Sequence, residues 1–135
     1  MTSFLLDTHV FVWLKVTPER LRRETRDRLA DPDARVLFSV VSAIELFDKL
    51  GKGRNTGIDQ ILREGENLLA ATLAESAIEL LPVTLAHTAM TAELALHHRD
   101  PFDRLLIAQA ISDRLTLVSG DGAFERYASL NLLKT

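Results

Sequence analysis

One short stretch decides the fold of this chain: Leu5-Leu6-Asp7-Thr8-His9-Val10, close behind the N-terminus. It begins as an apolar strand and ends on an acid, after which Val10, Trp13 and Leu14 have the spacing of a helix. In an open α/β sheet, ligands bind at the carboxyl ends of the strands. Asp7 therefore stands where a site would lie, although on local sequence it could equally cap the helix that follows.

The composition indicates a globular protein. The 135 residues suit one domain, and 47% hydrophobic with 26% charged residues favours a folded chain over a disordered one. Cysteine is absent, which excludes disulfides and thiolate metal sites. We expect a cytoplasmic protein, because the sequence has neither a signal-peptide pattern nor an apolar run of roughly 20 residues that could span a membrane.

The charge balance narrows the function only in part. A net charge of -3 and a pI of about 5.8 argue against a basic protein that coats nucleic acid. They leave open an enzyme that acts on nucleic acid through metal ions, because bound cations reverse the local field.

Strand and helix patterns alternate along the rest of the chain. Strands are predicted at residues 3–6, 35–39, 78–83 and 115–119, with a weaker fifth pattern at 130–133. Helices are predicted at 10–14, 18–30, 40–50, 58–75, 85–97 and 100–113. Pro82 places the third strand at a sheet edge. This order predicts a single three-layer α/β domain over residues 1–135, with a mostly parallel central sheet flanked by helices.

Four acids fall at or after the strands of this predicted sheet. Asp7 ends the first strand, and Asp121 follows the fourth. Glu45 lies in the helix after the second strand, and Asp103 lies in the first turn of the helix that leads into the fourth. If these strands are central neighbours, all four carboxylates meet above the carboxyl edge of the sheet.

Two of these acids also have a purely structural interpretation. Ser42 and Glu45 could form a capping box, although Ser39 is the more natural cap if the strand ends there. Asp121 stands between two glycines and could be a turn residue.

The segment Asp100-Pro101-Phe102-Asp103 contains the clearest helix start. Asp100 suits the N-cap and Pro101 the first helical position. Asp103 then falls in the first turn, where the helix dipole favours a negative charge, so that a capping role and a site role both fit it. We take Asp100 as the cap and Asp103 as the site residue.

The four acids together indicate a metal site. Two carboxylates about 4 Å apart repel each other by about 4 kcal/mol at an effective dielectric constant of about 20. No comparable run of Lys accompanies these segments. Divalent cations would remove the repulsion, and oxygen ligands without Cys select Mg²⁺ or Mn²⁺ over Zn²⁺. Such ions can hold a phosphodiester, lower the pKa of a water and stabilise the leaving oxygen.

Four motifs, in order along nearly the whole chain, carry a resemblance to a known family. They are Leu5-Leu6-Asp7-Thr8, Ser42-x-x-Glu45, Asp100-Pro101-Phe102-Asp103-Arg104-Leu105-Leu106-Ile107-Ala108-Gln109-Ala110 and Val118-Ser119-Gly120-Asp121. Together they resemble the PIN-domain nucleases, and among these the VapC-type toxins of bacterial toxin–antitoxin pairs. The run from His98 to Ala110 is the most specific part of the resemblance.

The resemblance implies a PIN-like, Rossmann-like fold and an endoribonuclease that depends on Mg²⁺ or Mn²⁺. By position, the acidic site would consist of Asp7, Glu45, Asp103 and Asp121. Asp7 and Asp103 would ligate metal most directly, and the other two would complete the shell or orient the attacking water. Ser119 would position a ligand or water, and Asp100 is a secondary site residue. The products would carry a 5′-phosphate and a 3′-hydroxyl.

Partners follow from the same resemblance. Such toxins typically pair with a small VapB-like antitoxin that fills the groove of the site, and they commonly form homodimers, or heterotetramers and larger assemblies with the antitoxin. RNA could be steered by the basic residues nearest the acids in sequence, although such clusters are usually solvated helix faces: Arg104, Lys49, Lys52 and Arg54. His9 is more simply a surface histidine.

Two rival interpretations remain. A phosphatase or phospho-acceptor domain would use Asp7 as its nucleophile, but His9 stands where a haloacid-type phosphatase has its second acid. A catalytically silent PIN-like binding module would keep the fold without activity, and the electrostatic cost of four converging acids argues against it.

Overall fold

The centre of the fold is a five-stranded sheet, described by a computed structural model over residues 2–135. The strands are β1 (Ser3–Leu6), β2 (Arg35–Ser39), β3 (Ile78–Leu81), β4 (Thr116–Ser119) and β5 (Asn131–Lys134). The helices are α1 (Thr8–Val16), α2 (Arg23–Ala30), α3 (Val40–Gly51), α4 (Asp59–Arg63), α5 (Glu66–Glu75), α6 (Leu85–Thr91) and α7 (Pro101–Ser112), with short 3-10 helices at Pro18–Arg20 and Gly122–Arg126.

All neighbouring strands of the sheet are parallel, in the order β3-β2-β1-β4-β5. The predicted α/β class with a mostly parallel sheet is therefore confirmed, as is the position of β3 at an edge. The order reverses at β1, because β2 and β3 lie on one side of it and β4 and β5 on the other. Such a reversal leaves a crevice at the carboxyl ends of the central strands, which is where open α/β sheets bind ligands.

Alternate residues of β1 belong to two separate cores. Phe4 and Leu6 pack in one core, and Leu5 packs in the other, as expected for strand side chains that point alternately to opposite faces. The first core includes residues of α1, α4 and α5, and the second includes residues of α7 and of the 3-10 helix Gly122–Arg126. Burial on both faces explains why the central strands are almost continuously apolar.

A buried glutamine ties α7 to the carboxyl edge of the sheet. Gln109 accepts a hydrogen bond from the Ser39 hydroxyl through Oε1 (2.5 Å) and donates through Nε2 to the carbonyl of Pro82 (3.2 Å). Ser39 also accepts from the amide of Val41, which makes it the N-cap of α3, as the sequence favours. These contacts join the ends of β2 and β3 to the helix that carries the acids of the DPFD segment.

Two predicted helices are interrupted in the structure. The prediction of one helix over 18–30 is wrong, because the chain becomes extended at Leu21 and buries that side chain in the core before α2 begins. The prediction of one helix over 58–75 is also wrong. Gly65 separates α4 from α5 with φ +90°, a backbone conformation that glycine adopts without steric cost.

A third helix ends early, and its end matters for the site. The predicted helix 85–97 stops at Thr91, whose carbonyl accepts a hydrogen bond from the Arg104 guanidinium (2.6 Å). Residues 92–99 therefore form a loop between α6 and α7. Within residues 2–135, no helix has the length and apolarity needed to span a membrane.

The Gln109 contacts give a stability prediction. Gln109→Leu keeps the size of this fully buried side chain but leaves Ser39 Oγ and the Pro82 carbonyl without their partner. We expect the free energy of unfolding to fall by about 1–3 kcal/mol in urea titrations. Gln60→Leu, on the exposed face of α4, is the matched control and should change stability by less than about 0.5 kcal/mol. Equal effects of the two substitutions would refute the structural role of Gln109.

Candidate metal centre

An acidic cleft of about 290 Å³ lies at the carboxyl end of the central strands. Within residues 2–135, six carboxylates and two cationic side chains line it. All four acids predicted from the sequence are among the lining residues, which are Asp7, His9, Glu45, Asp48, Lys49, Arg54, Asp100, Phe102, Asp103 and Asp121.

Asp7 holds the central position of the cleft and is only 5% exposed. Its Oδ1 accepts from the amide of Thr8 (2.7 Å), which makes it the N-cap of α1. Its Oδ2 accepts from the Ser119 hydroxyl (2.7 Å) and lies 3.2 Å from Nδ1 of His9. A carboxylate can accept about four hydrogen bonds, so Asp7 is oriented by three neighbours and still has a lone pair for a ligand.

Ser119 connects two of the acids. Its hydroxyl donates to Asp7 and accepts from the backbone amide of Asp121 (3.1 Å). The side chain is buried at the end of β4, and Asp7 N–H donates to the carbonyl of Val118 (3.0 Å) just before it. The geometry therefore places Ser119 as a positioning residue beneath the cleft.

His9 lies closer to the site than a surface histidine would. Its Nε2 accepts from the amide of Gly120 (3.3 Å), so a neutral ring carries its proton on Nδ1 and donates it to Asp7. The ring also packs edge-on against Trp13, with a centroid separation of 4.8 Å.

Glu45 reaches the cleft from the second turn of α3. Its carboxylate lies 3.2 Å from Nζ of Lys49, one turn further along the helix. The capping box with Ser42 does not form. Ser42 is buried and instead accepts a hydrogen bond from the Thr8 hydroxyl (2.9 Å), which holds α3 against α1.

Asp100 and Asp103 both line the cleft and differ in how they are held. Asp100 is exposed and caps α7 by accepting from the amide of Phe102 (2.9 Å). Asp103 lies in the first turn of α7, and burial together with the charges of Asp100, Asp7, Glu45 and Asp121 raises its pKa to about 7. The electrostatic repulsion within the cleft therefore acts most strongly on the ionised form of Asp103.

Asp121 combines two tasks. Its Oδ1 accepts from the amide of Ala123 (2.9 Å), so it caps the 3-10 helix Gly122–Arg126. The residue is exposed at the rim of the cleft and adds to the charge that acts on Asp103.

The basic residues named from the sequence separate into two groups. Lys49 and Arg54 line the cleft beside the acids, and Lys52 pairs with Asp48 (2.9 Å). Arg104 instead donates to the backbone carbonyls of Thr91, Ala95 and His98. Arg104 thus stabilises the α6–α7 loop.

His98 is a site residue that the acid pattern did not reveal. One of its ring nitrogens and one carboxylate oxygen from each of Asp103 and Asp121 lie within 4.8 Å of one another. Its position at the start of the His98–Ala110 run was the available signal. A search for acids at the ends of predicted strands cannot identify a buried histidine in a loop.

The donor set fits a divalent cation. It is rich in carboxylate oxygens, contains no sulfur, and holds one acid whose charge is already suppressed by its neighbours. Oxygen donors of this kind suit Mg²⁺ or Mn²⁺.

Several solved structures share this fold along essentially their full length. VapBC2 from Rickettsia felis bound to a DNA fragment from their promoter has a TM-score of 0.73 at 19% identity, covering 98% of each chain. DNA-bound VapBC from Salmonella typhimurium has a TM-score of 0.66 at 24% identity, covering 99% of this chain and 98% of that one. VapBC-5 from Mycobacterium tuberculosis, in the VapBC family of toxin–antitoxin systems, has a TM-score of 0.64 at 23% identity over the whole of both chains.

At these sequence identities the similarity shows the fold alone, and the activity has to be argued from the residues of the site. A comparison with curated proteins finds none that matches. The family model described as PIN domain matches residues 4–130, which include β2, β3, β4, all of β1 but its first residue, and all four predicted acids. The chain therefore belongs to the PIN domain family.

Proposed function

We propose that this protein is a Mg²⁺- or Mn²⁺-dependent endoribonuclease and the toxin of a VapBC-type pair, with residues 1–135 forming one nuclease domain. The observation that carries the proposal is the convergence of the carboxylates of Asp7, Glu45, Asp103 and Asp121 on one cleft. Their mutual repulsion and the burial of Asp103 keep the pKa of that group about 7. A protein that only needed this fold would have no reason to retain such a cost.

Each acid has a role that follows from how it is held. Asp7 is fixed by Thr8 and Ser119 and supplies a rigid ligand. Asp103 would be the second direct ligand, and its raised pKa reflects burial and the neighbouring acids that a bound cation would offset. Glu45 and Asp121 line the same cleft, where they would complete the set of ligands or orient the attacking water. When bound, the cation lowers the pKa of that water and neutralises the phosphate.

The reaction is hydrolysis of an RNA phosphodiester. The water oxygen attacks phosphorus, and the bond from phosphorus to the 3′ oxygen breaks, so the products carry a 5′-phosphate and a 3′-hydroxyl. Lys49 and Arg54 line the same cleft and are the cations best placed to hold the RNA backbone. Arg104 donates to backbone carbonyls and Lys52 pairs with Asp48, so both contribute less directly to RNA binding.

We further propose a VapB-like antitoxin as partner and a homodimer as the basic assembly, extending to a heterotetramer or larger with the antitoxin. This rests on the similarity to VapBC complexes from several bacteria and to FitAB bound to DNA, which has a TM-score of 0.66 at 20% identity. The antitoxin would offer a cation to the acidic cleft, and the pair would act in the cytoplasm.

The charge at Asp103 should destabilise the metal-free protein. In the unfolded chain this carboxyl ionises near pH 4, whereas its pKa in the folded protein is about 7. Unfolding between these values releases a proton, so wild-type stability falls as pH rises and the full penalty is present above about pH 7. Asp103→Asn should therefore raise the free energy of unfolding by about 1–2 kcal/mol at about pH 8 in EDTA, and by little near pH 4.

Urea titrations at the two pH values measure this difference, with Asp27→Asn on exposed α2 as the control for a neutral substitution. Excess Mn²⁺ should stabilise the wild type, by about 2.7 kcal/mol at 100 times the dissociation constant, and should stabilise Asp103→Asn far less. A variant that is less stable than the wild type at both pH values would contradict the electrostatic assignment.

RNA cleavage should require the cation and the acids. Purified protein free of antitoxin, incubated with structured RNAs, should cut in Mg²⁺ or Mn²⁺ and stop in EDTA. Asp7→Asn, Glu45→Gln and Asp103→Asn should each lower the rate by about 100-fold or more, because several kcal/mol of charge stabilisation is lost. End-labelling of the fragments identifies the 5′-phosphate.

Asp27→Asn should cleave like the wild type, since it lies outside the cleft. Cleavage that survives EDTA would overturn the mechanism. Binding of RNA without cleavage would favour the silent module, and an acyl-phosphate trapped at Asp7 would favour the phosphatase.

Expression of the chain alone should arrest bacterial growth. If the adjacent reading frame encodes a small DNA-binding protein, its co-expression should restore growth, and it should co-purify with the chain. Asp7→Asn should remove the arrest because it removes a proposed metal ligand, and it should preserve co-purification because Asp7 is only 5% exposed and offers the antitoxin little surface. If cells grow normally while they express a stable protein that cleaves RNA in vitro, the toxin role is contradicted and the nuclease activity is not.

A further inference from the structure

His98 has a ring nitrogen that the rest of the chain does not use. The residue is 8% exposed, in the loop between α6 and α7. Its Nε2 is buried, and residues 2–135 offer it no hydrogen-bond partner. Buried polar atoms are nearly always paired in native proteins, so an orphaned nitrogen beside a cleft calls for a ligand.

Tyr127 decides which nitrogen of the ring carries the proton. The Tyr127 hydroxyl donates its one proton to the carbonyl of Ala95 (3.1 Å) and accepts from the backbone amide of His98 (3.1 Å). Its 3.2 Å contact with Nδ1 of His98 is then a hydrogen bond only if Nδ1–H donates to the Tyr oxygen. In a neutral ring this leaves Nε2 with a free lone pair.

The ring is held rigidly against the segment that carries Asp121. It stacks on Phe124 with a centroid separation of 4.9 Å and an angle of 18°, and lies 5.4 Å from the Tyr127 ring. Both aromatics belong to the chain just after Asp121. On the other side, Arg104 donates to the carbonyl of His98 and to two more carbonyls of the same loop.

His98 lies in a group of potential metal-ligating side chains. A ring nitrogen of His98 and carboxylate oxygens of Asp103 and Asp121 lie within 4.8 Å of one another. Ligands of an octahedral ion with bonds of about 2.1 Å lie about 3.0 Å apart when adjacent and about 4.2 Å apart when opposite, so side-chain shifts of about 1 Å would bring all three into contact with one cation. Hydrogen bonds like that from Nδ1–H to Tyr127 orient histidines that ligate metals through the other ring nitrogen.

We propose that His98 ligates the cation of this cleft through Nε2, with Tyr127 as the residue that fixes its tautomer. The inference rests on the proposed metal site and adds a nitrogen donor to it. Carboxylates suit Mg²⁺ and Mn²⁺ alike, whereas imidazole favours transition ions. The protein therefore binds Mn²⁺ in preference to Mg²⁺, and His98 carries that preference.

The direct test is pulsed electron paramagnetic resonance of the protein loaded with Mn²⁺ alone. The wild type should show coupling of the ion to ¹⁴N, and labelling of histidine with ¹⁵N should change the signal. His98→Phe keeps a ring to stack on Phe124 and should lose the coupling. His9→Gln is the matched control for the other histidine beside the cleft, and should retain it.

Calorimetry supplies a second measurement. His98→Phe should weaken Mn²⁺ binding by at least the roughly 10- to 100-fold that follows loss of an outer hydrogen-bond partner of a ligand, and should weaken Mg²⁺ binding much less. Tyr127→Phe should weaken Mn²⁺ binding in the same direction to a smaller extent.

Nitrogen coupling that persists in His98→Phe, or that disappears in His9→Gln, would overturn the inference. So would an equal loss of Mg²⁺ and Mn²⁺ affinity. ¹⁵N chemical shifts of the metal-free wild type need no variant and check the tautomer, since a proton on Nε2 at neutral pH would also overturn it. If the wild type shows no nitrogen coupling but Asp103→Asn still loses Mn²⁺ binding, the proposed nuclease site is supported and only the role of His98 as a ligand is refuted.

Discussion

The whole candidate site depends on the parallel pairing of β1 with both β2 and β4. Parallel strands bring their carboxyl ends to one edge, and the reversal of strand order at β1 leaves a crevice there. Asp7, the α3 cap Ser39 and the positioning residue Ser119 all stand at the ends of these three strands. The two cores bury both faces of the sheet, so apolar packing holds this edge in place against the repulsion between the acids.

The acids of the cleft combine structural and site roles. Asp7, Asp100 and Asp121 each accept a backbone amide at a helix start and also line the cleft. Capping uses one part of a carboxylate, and the remaining lone pairs stay available to a ligand. Among residues 2–135, Asp103 has no hydrogen-bond donor of this kind. Burial and the neighbouring carboxylates raise its pKa to about 7, so its ionised form destabilises the metal-free fold. Sites commonly hold such a cost where function requires it.

Polar contacts between distant segments explain how the cleft keeps its geometry. Gln109 spans Ser39 and Pro82, and Thr8 bonds to Ser42. Arg104, which the sequence suggested for RNA, holds the loop of His98 in place. These groups satisfy each other's hydrogen bonds, so loss of any one leaves a partner unpaired.

The sequence by itself determined the α/β class, the edge position of β3, the caps Ser39 and Asp100, and the four acids that reach the cleft. These follow from local periodicity and from the rule that binding residues come after parallel strands. Only the tertiary structure decided that two long helices break at Leu21 and Gly65, and that His98 faces Asp103 and Asp121. The reason is physical: the Asp7–Ser119 and His98–Tyr127 contacts join residues 112 and 29 positions apart, and burial at such contacts overrides local propensity.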